Sequence, residues 1–443
     1  MANKKIVIIG AGLSGLVIAN KLAENNEYSV TVLEKGALNS PINDDRYYRG
    51  QSPNLSFTRA QGIGGTSNYW HSGLLKMPKS SSWAYNMLYK SGWYTQATNL
   101  VDCKFPQVAK KDIQHNEFDC IYYPVKRYRP IPNQLVCVIS DVSGIKIDTH
   151  NSNIGFNVSG KVHCLEYDIL ILAAGGIGTP LLLQQEYHRE QFQHSSIGAN
   201  LTDHISSNPM KIKLKKTSWM RFSSFFYKGI IRKGYTYMDP KAGLNHIIYL
   251  RPAMNLSLGN HSQALKRMLI GFWATPNKIQ ALSKLASSVD ILLEIIANKL
   301  PVPLPVRYLS ASIVSEQESK NSNSVSCNGK KKSIVWNFSD IERKSVISAC
   351  NWFVSNSGLS INSVSIADAQ EIEFTGCCHH SGTASFGDDR SCNVVDKNLK
   401  MYGHDNIYIC DGSVLPDTSY ANTGLTLIAL ALRLAEKIKS RLG

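Results

Sequence analysis

The side chains best suited to chemistry in this chain gather near its C-terminus. From Cys377 the residues read CCHHSGTASFG, then VVD, then NIYICDGSVLPDTSYANTGLT, then a helical pattern to the end. His379 and His380 are adjacent imidazoles, which titrate near neutral pH and exchange protons readily. Asn422 offers a neutral amide just before the last helical run, whose N-terminal amides and dipole favour negative charge. Cys377, Cys378, His379 and His380 are also metal-ligand types. Four consecutive residues cannot easily close around one tetrahedral ion, and no second cluster with zinc spacing occurs, so no metal is assigned.

At the opposite end, KIVIIG leads into Gly10-Ala11-Gly12-Leu13-Ser14-Gly15, a helical run and a second apolar run, SVTVLEKG. Strand, glycine turn, helix and strand make a βαβ unit. Gly12 lets the backbone approach a pyrophosphate, and Gly15 lets helix and strand pack closely. Glu34 ends the second strand, placed for the ribose hydroxyls of an adenosine, and Lys35 follows it. A bound dinucleotide is expected. Gly64-Gly65-Thr66-Ser67 form a second small-residue loop, too far along to belong to this unit. Its glycines and hydroxyls can lie against a ring system and a phosphate, which points to FAD rather than NAD.

Elements that could position these groups are legible between the two ends. Residues 134–174 predict short strands, a small β-meander (about 120–170) and a buried parallel strand ending in YDILILAAGG. Beyond Asp203 the runs MKIKLKK, NHIIYLRP and SASIVSEQ alternate like half-buried strands. Asn328-Gly329 predicts a hairpin turn, and Ser339 or Asp340 caps a helix through about Val354. Helical spacing also runs through 265–300. The expected architecture is α/β: a Rossmann-like FAD-binding domain from 1–204 and 379–443, with an inserted α+β substrate domain, 205–378, built on an antiparallel sheet.

Hydrophobic content of 43% and charged content of 18% describe an ordinary globular chain. No apolar run is long enough for a spanning helix, and the N-terminal run enters a glycine turn instead of a cleavage site. The ten scattered cysteines then read as reduced thiols of a cytoplasmic protein. The net charge of +15 concentrates in 211–216, 221–233 and 330–332. It marks either a solvated surface or an anionic partner: a phosphorylated, nucleotide-linked or lipid-linked substrate, or a membrane. Nucleic acid is not expected, because no nucleic-acid module accompanies the charge. The run 218–237 interleaves aromatics with Arg and Lys, and 281–300 is amphipathic. Each reads as packed core or as docking at the anionic cytoplasmic face of a membrane.

Taken in order, these segments resemble the glucose–methanol–choline (GMC) family of flavin oxidoreductases. GAGLSG with Glu34, GIGGTSNYW from Gly62, AAGGIGTPLLL from Ala173, IGANLTDH from Ile197, the hairpin SEQESKNSNSVSCNGKKKSIVWNF, and HHSGTASFG, VVD, NIYICDGSVLP and ANTGLT carry the resemblance. Residues 205–310 show little of it. GGTSNYWHSG is most similar to the pyranose oxidase branch, where a His in this loop is joined to the flavin. Tyr69 holds that position here and His71 is displaced, so non-covalent FAD is implied.

The resemblance further implies His379 as the base and Asn422 as its partner, with His380 structural and His204 supporting the FAD domain. It places FAD against Gly10, Gly12, Leu13, Ser14, Gly15, Glu34, Lys35, Gly64, Gly65, Thr66, Ser67, Asn68, Tyr69, Ala174, Gly175, Asp411, Gly412, Asn422 and Thr423. The family's usual Asn-Pro is Asn422-Thr423 here. The implied activity is oxidation of a CH–OH group, of a sugar or sugar derivative, by hydride transfer to the flavin in an oxidase or dehydrogenase. The alternatives are a flavin-dependent sugar isomerase without net redox, and a non-catalytic lipid-binding protein that keeps the fold.

Overall fold

The computed structural model describes residues 3–36, 48–50, 60–70, 72–78, 83–104, 118–256, 296, 301–320, 322–329 and 331–442. Apart from residue 296, the expected helical runs within 265–300 lie outside these residues, as does His71. The first strand, Lys4–Ile9, becomes the centre of a five-stranded parallel sheet. The strand order is Ile407–Ile409, Ile169–Leu172, Lys4–Ile9, Tyr28–Leu33, Cys137–Ile139. Its central strands are continuous apolar runs because both faces are covered; Ile6 through Ile9 and Ile169 through Leu172 are all buried. The helices Leu13–Leu22 and Thr423–Leu442 pack together on this sheet. The chain's two ends therefore meet. The glycine turn at Gly10, the turn at Ala174 and the turn at Asp411 all leave carboxyl ends of parallel strands, where such sheets bind ligands.

The stretch expected as one meander divides. Val142–Asp148, Asn153–Val158 and Lys161–Glu166 form a three-stranded antiparallel sheet, and Cys137–Ile139 edges the parallel sheet. Phe118–Pro124 instead pairs with Gly229–Met238. Alternation within a strand shows that one face is buried but not which sheet it joins.

The large sheet is antiparallel, in the order Ser224–Phe226, Gly229–Met238, Asn245–Ala253, Leu304–Ser315, Ile205–Met220, Ile361–Ile366. The helix Asp340–Asn356 covers one face, packing Val346, Ala349 and Phe353 against Ile212, Ile248, Leu309 and Ala311. The other face sends Ile247 and Tyr249 into the core shared with the parallel sheet. The hairpin closes at Asn328↔Lys331, with Gly329 left-handed at φ +57. Ser339 caps the covering helix in a reciprocal box: its Oγ accepts from the Glu342 amide at 3.2 Å, and the Glu342 carboxylate accepts from the Ser339 amide at 2.6 Å. Ser339→Ala is expected to lower stability by about 1 kcal/mol. A urea titration checks this as a lower midpoint with unchanged slope.

Candidate active site

Two glycine loops close on each other. The Gly64 amide donates to the Ala11 carbonyl at 2.8 Å, and a Cβ on Gly65 would stand 3.2 Å from the Gly12 Cα. Gly15 admits no side chain, since a Cβ there would lie 2.1 Å from the Gly10 carbonyl oxygen. The Gly12 side stays open, with nothing nearer than 3.9 Å. No side chain caps the helix that starts at Leu13, and no acid stands in its first turn, so its amide end suits a phosphate. Ser14 is buried in that turn, and Lys35 is exposed beyond Glu34.

Glu34, expected to meet a ribose, also binds the chain's own backbone. One carboxylate oxygen accepts from the Ala11 amide at 2.7 Å, the other from the Gly36 and Gly62 amides at 2.9 and 2.8 Å. It staples the two loops, and three of the roughly four acceptor positions of its carboxylate are filled by backbone amides. Thr66, Ser67 and Asn68 shape the second loop. The Thr66 hydroxyl accepts from the Ala60 amide, the Ser67 hydroxyl donates to the Gly64 carbonyl, and the Asn68 amide donates to the carbonyls of Ile63 and Gly65. Tyr69 ends the short 3-10 helix that follows.

Asp411 acts as a brace. Its carboxylate accepts from the Gly175 amide, the Thr179 hydroxyl, and the amide and hydroxyl of Ser413, at 2.6–2.8 Å. Burial pushes its pKa up. With these four contacts made, the Asp411 carboxylate is fully engaged within the protein. Gly412 and Gly176 both receive the His380 carbonyl, which would stand 2.5 and 2.1 Å from a Cβ at either position.

Where the second loop meets the last helix, buried polar atoms lack partners among the described residues: Trp70 Nε1, Ser72 Oγ, Thr418 Oγ1 and Ser419 Oγ. Trp70 lies against Gly424, and Gly73 lies against the Asn422 amide nitrogen, 3.1 Å from where its Cβ would be. Buried polar atoms seek hydrogen bonds, and the polar edge of a flavin supplies them. The open phosphate cradle, the stapled loops and these atoms fit FAD.

His379 is held from two directions. Ile205 pairs with Gly376, which lays Asp203 and His204 beside the histidine loop. The Asp203 carboxylate accepts from the Cys378 amide at 3.0 Å and the His379 amide at 2.8 Å. It thereby supports Cys378 in a left-handed conformation, φ +67, which costs a non-glycine residue energy. His380 is on the same clamp, its Nε2 4.0 Å from Asp203. His204 Nδ1 lies 2.8 Å from His379 Nδ1, with the rings edge to face. Its Nε2 lies 2.8 Å from the Thr418 carbonyl oxygen. His204, expected to support the FAD domain, thus also touches His379. Its motif was visible, but only the strand pairing puts the two rings in contact.

The partners set the tautomers. A carbonyl only accepts, so His204 carries its proton on Nε2. Burial pushes its pKa down to about 4, so it is neutral and its Nδ1 accepts. His379 must then donate from Nδ1 and hold its lone pair on Nε2. Thr418 also begins the loop that reaches Asn422, and the last helix starts at Thr423. Tyr85 steadies this segment by donating to the Asp417 carbonyl, and Tyr94 by bonding Thr426 at 2.8 Å. Among the described residues no group of three or more His, Cys, Asp or Glu is arranged to hold a metal.

Comparison with known proteins finds similarity at both ends of the chain and in the overall fold. The family profile "GMC oxidoreductase" matches residues 351–431, and an NAD(P)-binding Rossmann-like profile matches 8–39. Paromamine 6'-oxidase of Streptomyces fradiae is 38% identical over 63 residues, 14% of this chain and 12% of that protein. A 5-(hydroxymethyl)furfural oxidase of Methylovorus is 41% identical over 64 residues, again 12% of its length. This chain thus spans about an eighth of the length of these oxidases in the matched segment. A protein of Acanthamoeba polyphaga mimivirus, named as a truncated GMC-type inactive oxidoreductase, is 39% identical over 61 residues, 14% of this chain and 69% of its own length. The fold is shared end to end with pyridoxine 4-oxidase from Mesorbium loti, at TM-score 0.59 and 13% identity over 99% of both chains. An FAD-dependent oxidoreductase from Chaetomium thermophilum shares it at TM-score 0.58 and 14% identity, also over 99% of both chains. With two glycine loops that fit FAD at one end and the family's histidine block at the other, this protein belongs to the GMC oxidoreductase family.

Proposed function

We propose that the protein oxidises a CH–OH group of a sugar or sugar derivative, with His379 as general base and Asn422 holding the substrate oxygen. The observation that carries this is the 2.8 Å contact between His204 and His379, which leaves His379 basic at Nε2. Bound FAD supplies the hydride acceptor. His379 Nε2 takes the hydroxyl proton as hydride leaves the carbon. The resulting imidazolium keeps donating from Nδ1 to neutral His204, a charge-assisted bond stronger than the neutral one it replaces. His204 is therefore a positioning residue, and the Thr418 carbonyl anchors it. Asn422 orients the oxygen without competing for the proton. The amide end of the helix from Thr423 favours negative charge beside it. Matched relatives named for paromamine, 5-(hydroxymethyl)furfural and fructose support a small polyhydroxylated or sugar-like donor.

The large sheet supports a donor bearing negative charge. Arg251 and Lys211 are both in register with Ser310 and so share one face. Arg232 lies over Tyr249 on that face, its guanidinium carbon 4.7 Å from the ring centre. Burial raises the Tyr123 pKa, and the positive charges of Arg232 and Arg251 oppose the rise. The Tyr123 ring in turn abuts Gly73 beside Asn422. Ser310 precedes Ser315, the partner of Ile205, by about 17 Å of strand. A phosphate held there suits a phosphorylated or lipid-linked sugar whose oxidised carbon lies well away from the phosphate.

Anaerobic mixing with neutral sugars, sugar phosphates and nucleotide sugars, followed by flavin absorbance, identifies the donor. Arg251→Gln is expected to raise KM for a phosphorylated donor about tenfold or more while leaving a neutral alcohol unaffected. Equal changes for both donors would remove the phosphate assignment. Absence of bleaching by any alcohol would remove the redox reading itself.

A further inference from the structure

The large sheet has two ends with different surfaces. At one, Ile205 aligns with Ser315 and Gly376, next to His204 and His379. At the other, Met220 pairs with Leu304, Phe226 with Gly229, and Ala253 with Tyr308. Large apolar side chains are exposed at this second end. Val125 is 82% exposed, Trp219 73% and Phe225 74%. Tyr227, Met254 and Val302 are each about half exposed there. Val125 joins the group because its amide donates to the Lys228 carbonyl at 2.9 Å. Tyr227 stands in the two-residue turn after Phe226 at φ +47, a conformation disfavoured for a bulky residue.

Among the described residues the charge around these side chains is mostly positive, with Asp102 as an acidic exception. Lys126, Arg127, Lys215, Lys216 and Arg221 are exposed, and Lys228 pairs with Asp102 at the surface. No Asp or Glu occurs between Asp203 and Asp239, while eight Lys and Arg do. Exposed aromatics rimmed by cations combine the two attractions that hold proteins at anionic bilayers. Trp, Phe and Tyr settle at the headgroup level, and Lys and Arg meet lipid phosphates. A protein interface would carry fewer lysines at its centre. No helix among the described residues is long and apolar enough to cross a membrane.

We propose that this end of the sheet docks on an anionic membrane, with Trp219, Phe225 and Val125 entering the headgroup region and Lys216, Arg221, Lys126 and Arg127 meeting lipid phosphates. The proposal builds on the lipid-linked reading of the donor, because the cationic face leads from this end toward His379. Its test needs no turnover. FAD-loaded protein is sedimented with phosphatidylcholine vesicles and with vesicles containing phosphatidylglycerol, at low and high salt. Binding is expected to the anionic vesicles alone, weakened about tenfold or more by high salt. The pair Trp219→Ser with Phe225→Ser, and the pair Lys216→Glu with Arg221→Glu, are each expected to weaken it about tenfold or more. Flavin absorbance and thermal midpoint stay unchanged, since these side chains are outside the core. Lack of binding to anionic vesicles at low salt overturns the proposal, as does binding that neither pair alters. Self-association abolished by the aromatic pair, without vesicle binding, overturns it in favour of a protein interface. A docking result alongside failed lipid-linked turnover separates the surface from the donor assignment.

Discussion

His379→Ala is expected to retain FAD and lower the rate of anaerobic flavin bleaching about a thousandfold or more. A positioned general base contributes roughly 10²–10⁴ in rate. Here its loss also removes the imidazolium that would share its charge with His204, so the upper part of that range applies. The proposed FAD cradle comprises Gly10–Gly15, Glu34 and the second glycine loop, whose contacts with one another do not use the His379 side chain. Flavin content and absorbance therefore serve as the control for folding. The neighbouring His380→Ala is expected to change the rate only a few-fold, because that side chain is turned to Asp203. A normal rate in His379→Ala with a collapsed rate in His380→Ala would reverse the assignment of the base.

His204→Leu is expected to cost about a hundredfold in rate, although His204 touches no reacting atom. Without the Nδ1 acceptor, neutral His379 can place its proton on Nε2, the wrong nitrogen for a base. Its imidazolium also loses a partner, so the acid limb of the rate profile moves to lower pH. His204→Asn offers an amide oxygen near the old Nδ1 position and is expected to recover most of both effects. A purely structural role would leave the acid limb in place and give Asn no advantage. Protein stability carries a related signature. The folded-state pKa of His204, and of His246, is about 4, below the ordinary value of 6.5. Both are buried neutral, so the unfolded chain binds more protons between those limits. Their contribution is fully present above about pH 6.5 and is lost as pH falls toward 4, at about 1.4 kcal/mol per unit for each group. Denaturant midpoints measured across that window check the slope, which His204→Leu should reduce.

Much of the cofactor end was legible because it is local. Gly10, Gly12, Gly15 and Glu34 lie in one βαβ unit, so spacing alone predicts their arrangement. Ser339 and Asn328-Gly329 were legible for the same reason: a cap and a two-residue turn depend on immediate neighbours. His204 was not, since its partner is 175 residues away and is met only through the pairing of Ile205 with Gly376. Asp411 shows the same limit. Its motif was readable, but the protein donors that fill its carboxylate come from Gly175 and Thr179 across the sheet as well as from Ser413. Asp203 is similar, a motif residue whose work on Cys378 and His379 no local pattern discloses.

The sequence by itself determined the βαβ unit, the need for a dinucleotide, the histidine block and the alternating strands between them. These follow from short-range periodicity, glycine conformation and side-chain chemistry. Only the tertiary structure decided which nitrogen of His379 is basic, because that depends on a carbonyl and a second imidazole brought in from other elements. It also decided between core and surface for Trp219 and Phe225. An aromatic–basic alternation satisfies either environment, and exposure is set by what the fold leaves uncovered at the sheet's end.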